Sequence, residues 1–177
     1  MDKSIFATPF VCDIMGLIRG EACMTKRKAS GLRRSPFILL TDEDIEFVRG
    51  EIQAIAADED VFLFNVGDHT SYYDPTDKVL VVGNIFPDLN SNHPRDLMSV
   101  RAVLAHEYYG HRANRGTPLK QGSWNDEFRA SYMAAKNAPN LSDQDRKYLI
   151  LDALDRAKAA GVPIKHNVFI RRILYGY

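Results

Sequence analysis

The chain has 177 residues, 45% of them hydrophobic and 26% charged, with a formal net charge of zero. That is the make-up of a soluble globular protein long enough to bury a core, and its balance gives no argument for nucleic acid or an acidic membrane as partner. No run reaches the ~18 apolar residues of a membrane helix, and two cysteines, Cys12 and Cys23, are too few for a disulfide framework and fit a reducing compartment.

The simplest organisation is one domain over 1–177, with residues 1–40 an N-terminal extension and 41–177 the core. The opening stretch MDKSIFATPFVCDIMGLIRG is broken by Pro9, Asp13 and Gly16, a poor secretory signal. A cytoplasmic protein is the expectation, and delivery as a secreted effector stays open. Cys12 reads as a small buried residue rather than as the cap of a metal site in a latent enzyme. The basic cluster Lys26, Arg27, Lys28, Arg33 and Arg34 reads as a solvated linker.

From residue 41 the elements become legible. Thr41 with Asp44 forms a capping box, and Ile45, Val48, Ile52 and Ile55 follow at helical spacing, which predicts a helix over 42–57. VFLFNV, at 61–66, reads as a buried strand. HTSYY and KVLVVGNIF flank the turn sequence Asp74-Pro75-Thr76-Asp77, so a hairpin of about 69–73 and 78–86 follows. A helix is predicted from Pro94 to Arg115, with Leu97, Val100, Val103 and Leu104 as its apolar stripe and Gly116 as its stop. Further helices are predicted over 125–136, from the Ser142–Asp145 cap to Gly161, and over 166–175. The order is that of an α+β domain with a small antiparallel or mixed sheet, an active-site helix and C-terminal helices.

The chemistry concentrates in 104-LAHEYYGHRANRG-116. A zinc-binding H-E-x-x-H helix sets two histidines four apart on one face, with the glutamate as base. Here His106 and His111 are five apart, giving H-E-x-x-x-H. In a regular helix that offset turns the second ring by about 140° from the first. The rings converge only if a π-bulge absorbs the extra residue. Gly110, which has no side chain to clash, is the place for that irregularity. A regular helix would instead align Glu107 with His111.

A metal also needs a third protein ligand and an open position. In 124-WNDEFRASYMAA-135, a helix would put Glu127, Ala130, Ser131 and Ala134 on one face, so that small residues let it approach the histidine helix closely. Glu127 is the expected third ligand and Asp126 the fallback. His69, His93 and His166 read as surface or hydrogen-bonded loop histidines. Arg129 reads as a helix-surface ion pair rather than a partner for a substrate carboxylate.

A hairpin, a helix bearing His-Glu and a second His, and a helix with E-x-x-A-S-x-M-A-A together resemble the small gluzincin-type zinc metallopeptidases. The last helix resembles the E-x-x-A-N-x-F-A-A element of ImmA/IrrE-like peptidases, and HEYYGH resembles zincin-type domains of bacterial polymorphic toxins. The likeness covers about residues 60–136. It implies a zincin-like fold in which His106, His111 and Glu127 bind Zn²⁺, with a peptide or protein as substrate. Glu107 would take a proton from the metal's water and pass it to the leaving amine. The strand within KVLVVGNIF would offer its edge to an extended peptide. Tyr72, Tyr73, Tyr108, Tyr132 and His166 are candidates for stabilising the oxyanion. Two other functions stay open at this point: a zincin-like domain that binds a protein partner without catalysis, and a metal-dependent hydrolase of a non-peptide bond.

Overall fold

The computed structural model describes residues 37–66, 72–74 and 76–177. Cys12, Cys23, the basic cluster of Lys26 to Arg34, His69, Pro75 and the Tyr72 side chain lie outside the described residues.

Helix α1 (Asp42–Ala54) starts where expected: Thr41 Oγ accepts from the Asp44 amide and the Asp44 carboxylate accepts from the Thr41 amide, both at 3.1 Å. Val48, Ile52 and Ile55 are fully buried. The helix stops earlier than predicted, because Ala56 takes a left-handed backbone at φ 52° and Asp58 caps a new 3₁₀ turn over Glu59–Val61.

That turn leads into β1 (Phe62–Phe64); β2 (Tyr72–Asp74) and β3 (Lys78–Val81) complete a sheet of order β1-β3-β2. The predicted hairpin is present, with Tyr73 opposite Val79, but β3 ends at Val81 and a 3₁₀ turn follows over Gly83–Ile85. β1 runs parallel to β3, Leu63 opposite Leu80. This corrects one expectation. β3 is paired on both sides and has no edge to offer a peptide; the sheet edge next to the candidate site is β2.

The helix predicted over 94–115 is four pieces. After α2 (Pro94–Leu97), Met98 is extended at ψ 139°, and Ser99 caps α3 (Val100–Ala105) by accepting from the Ala102 amide. A π-helical turn over His106–His111 and a 3₁₀ turn over Arg112–Asn114 follow, and Gly116 ends the run at φ 80°. Then come α4 (Trp124–Asn137), α5 (Asp143–Ala159) and α6 (Val168–Tyr175), the last two capped by the side chains of Ser142 and Asn167. Among the described residues the architecture is six α-helices and a small mixed sheet. No helix among them is long and apolar enough to cross a membrane.

The arrangement that matters for function is the seat of the π turn. α4 packs against it on one side and against α5 on the other, while β2 touches it from the sheet. Leu104, Leu149 and Ile150 anchor these helices in the apolar core that also takes Ile52, Val79 and Val81.

Candidate metal centre

The extra residue of the histidine motif is absorbed within the backbone. The Arg112 amide bonds back five residues to the Glu107 carbonyl, as well as to Tyr108. Carbonyls left over by the wider turn find a donor in Asn114, whose side-chain amide reaches Tyr109 O at 3.1 Å and Gly110 O at 2.8 Å. The turn swings both imidazoles to one side, their Nε2 atoms 3.0 Å apart.

Gly110 has a second role that the sequence reading did not give it. A Cβ built there would lie 2.5 Å from the Ala130 carbonyl oxygen and 2.7 Å from its Cα. The backbone of α4 therefore touches the backbone of the π turn, over the small residues Ala130, Ser131 and Ala134, all fully buried. This contact brings Glu127 to the histidines. Its Oε2 stands 3.4 Å from His106 Nε2 and its Oε1 3.6 Å from His111 Nε2. One ligand atom from each of the three lies within 4.8 Å of the other two, close enough to hold one metal ion.

All three groups are largely out of solvent, with both imidazoles below a tenth exposed. Burial drives the Glu127 carboxyl upward, but when the rings are protonated the hydrogen bonds from His106 and His111 and the charges of His106 and Arg156 outweigh it and hold it well below the usual carboxylate range. Burial likewise pushes the His111 imidazole down. The Glu127 hydrogen bond and the charges of Glu107, Glu127 and Asp126 outweigh it and leave His111 above its ordinary value.

Glu107 is buried and turned toward the sheet, its Oε2 accepting from the Tyr73 amide of β2 at 2.8 Å. Asp126, the fallback ligand, sits behind His111, its Oδ2 3.4 Å from Nδ1 while also accepting from the Gly122 amide. Arg129 pairs with Asp126 at 2.7 Å, as expected for an ion pair. A cleft of about 620 Å³ opens beside His111, lined by Tyr73, Asn114, Leu119, Gln121 and Arg129 among others.

The oxyanion candidates are dispersed. Tyr108 stacks on Phe62, and its hydroxyl accepts from the Asp58 amide. Tyr132 stacks on Phe128 and meets Phe169 edge to face, its hydroxyl accepting from Asn167. His166 stacks with Tyr175, and Tyr73 directs its hydroxyl to Asp77. None of these four side chains hydrogen-bonds to the His106, His111 and Glu127 group. His93 is an exposed residue at the start of α2.

Asp152 and Arg156 escaped the sequence reading, and Ser131 was read there only as a small residue of the packed face. Ser131 Oγ lies 2.9 Å from His106 Nδ1 and 2.7 Å from Asp152 Oδ2. Arg156 binds Asp152 through Nε at 2.9 Å and Glu127 Oε2 through a terminal nitrogen at 3.1 Å. The available signals were Ser131 one turn after Glu127 and the four-residue spacing of Asp152 and Arg156; which face of α5 meets α4 is a tertiary fact.

Compared with protein-family models, curated proteins and solved structures, the chain finds no match.

Proposed function

We propose that the chain is a zinc-dependent peptidase with a zincin-like architecture. The observation that supports it is the convergence of two imidazole nitrogens and one carboxylate, carried by a π turn and a helix packed backbone to backbone against it. Zinc bonds of 2.0–2.1 Å at the tetrahedral angle separate neighbouring ligand atoms by about 3.3 Å. The spacings of 3.0, 3.4 and 3.6 Å bracket that value. His106 Nε2, His111 Nε2 and a Glu127 oxygen would hold the ion and leave the fourth position open, the arrangement of a catalytic rather than a structural site.

A zinc ion so bound lowers the pKa of its water toward ~7 and polarises a carbonyl. The chain's own residues supply the proton traffic. Glu107, with Oε2 fixed by the Tyr73 amide, has its second oxygen to take a proton and return it to the leaving amine. An extended substrate lying in the cleft would run beside β2, where the Tyr73 carbonyl is held by Gln121 Nε2 at 2.9 Å. That carbonyl is the acceptor an incoming main chain would take over.

Metal binding requires both imidazoles to give up their ligand-side protons. Since His111 is held above its ordinary ~6.5, zinc affinity is expected to fall as the pH is lowered, the loss setting in while the pH is still above that value. The fall should approach about tenfold per pH unit for each proton displaced. Competition with a zinc indicator across neutral pH checks it, and a flat profile contradicts it.

The activity is tested by incubating the zinc-loaded chain with unfolded proteins and a mixed peptide library. Cleavage that stops with a chelator and returns with zinc supports the proposal. Hydrolysis confined to ester or phosphoester probes would move the reading to a non-peptide hydrolase.

A further inference from the structure

α5 contributes no ligand, yet two of its charged residues, Asp152 through Ser131 and Arg156 directly, reach two of the three. Asp152 is almost wholly buried, its carboxylate flanked by the guanidinium groups of Arg156 at 2.9 Å and of Arg95 at 3.4 Å. A carboxylate between two cations is an acceptor only. The Ser131 hydroxyl, fully buried and 2.7 Å from it, has one hydrogen, and that hydrogen must point at Asp152 Oδ2. The serine lone pair is then turned toward His106 Nδ1, 2.9 Å away, and accepts an N–H from it. A neutral imidazole carries one such proton. With it on Nδ1, Nε2 is bare and faces His111 and Glu127.

From this chain of bonds we propose that Ser131 and Asp152 are positioning residues that set the His106 tautomer for metal binding. Arg156 ties the same relay to the Glu127 carboxylate. The ring runs His106–Ser131–Asp152–Arg156–Glu127 and closes at the site, where Glu127 lies 3.4 Å from His106. One buried ion pair on a helix without ligands thus orders ligands on two other elements. Outer hydrogen bonds of this kind fix ring orientation and raise ligand basicity.

The inference rests on the metal-centre reading but not on the identity of the substrate. In the metal-free full chain at alkaline pH, imidazole ¹⁵N shifts distinguish the two neutral tautomers. His106 is expected to carry its proton on Nδ1. Ser131→Ala, which adds no atoms to the packed face of α4, should lose that preference while keeping its helical circular dichroism. It should also lower zinc affinity by about ten- to a hundredfold. A proton on Nε2 in the unsubstituted chain overturns the proposal without any variant having to fold. So does a Ser131→Ala protein with unchanged tautomer and zinc affinity. Because neither readout uses a substrate, failure of the peptidase reading with zinc still bound shows up separately, as a loaded chain that cleaves nothing.

Discussion

Glu107→Gln is expected to bind zinc with nearly unchanged affinity and to lose peptide hydrolysis by about 10²- to 10⁴-fold, the usual share of a general base. The substitution is close to isosteric, and the amide oxygen can still accept from the Tyr73 amide that holds Oε2 at 2.8 Å. Packing against β2 is therefore kept. What disappears is the ability to take a proton, since an amide has no site for one at neutral pH. His106→Ala separates the roles in the opposite way, because it removes a ligand and should cost the metal itself. Zinc stoichiometry and kcat on the same preparations check both. Turnover unchanged in Glu107→Gln would remove this residue from the chemistry and leave the metal centre standing.

Gly110→Ala carries the largest structural penalty. The added methyl would lie 2.5, 2.7 and 2.8 Å from three backbone atoms of Ala130, so no side-chain rotation relieves it. Either the π turn or α4 must move. Overpacking typically costs about 1–3 kcal/mol, more where backbone must shift. The displacement falls on the helix that carries Glu127 and Ser131, so zinc affinity should fall together with stability. Gly50→Ala is the matched control. It lies inside α1 with nothing within 4 Å of the added atom, and helix propensity predicts a gain of up to about 1 kcal/mol. Denaturant unfolding of the two metal-free variants, beside a zinc titration, checks the contrast. Equal stabilities would mean that the close approach of α4 to the π turn is wrong.

Local signals in the sequence carried most of the helices. Thr41 and Ser142 start α1 and α5 through side-chain oxygens that accept from amides three residues on, a bond that needs no tertiary partner. The break at Met98 and Ser99 was hidden because the apolar stripe from Leu97 to Leu104 runs across it. A capping serine there looks like any helix-surface serine until its bond to the Ala102 amide is seen. The parallel pairing of β1 with β3 was hidden too, since short apolar strands state neither direction nor neighbour.

At the site, the five-residue spacing of His106 and His111 posed a geometric problem with few solutions. A π turn is the one the backbone adopts. Glu127 was legible from the small residues around it, because Ala130, Ser131 and Ala134 on its face let α4 approach the π turn closely. Neither the relay through Asp152 and Arg156 nor the main-chain anchor of Glu107 at Tyr73 was legible. Both bonds join elements whose packing no local pattern dictates. The rings of Tyr108 and Tyr132 are taken up by aromatic packing.

A zinc-edge X-ray absorption spectrum of the loaded chain is the most direct test of a single ion held by His106, His111 and Glu127. The expected first shell is nitrogen and oxygen at about 2.0–2.1 Å, with outer-shell scattering from two imidazoles that vanishes in His106→Ala. A sulfur shell near ~2.3 Å, or a spectrum indifferent to that substitution, would place the metal elsewhere in the chain.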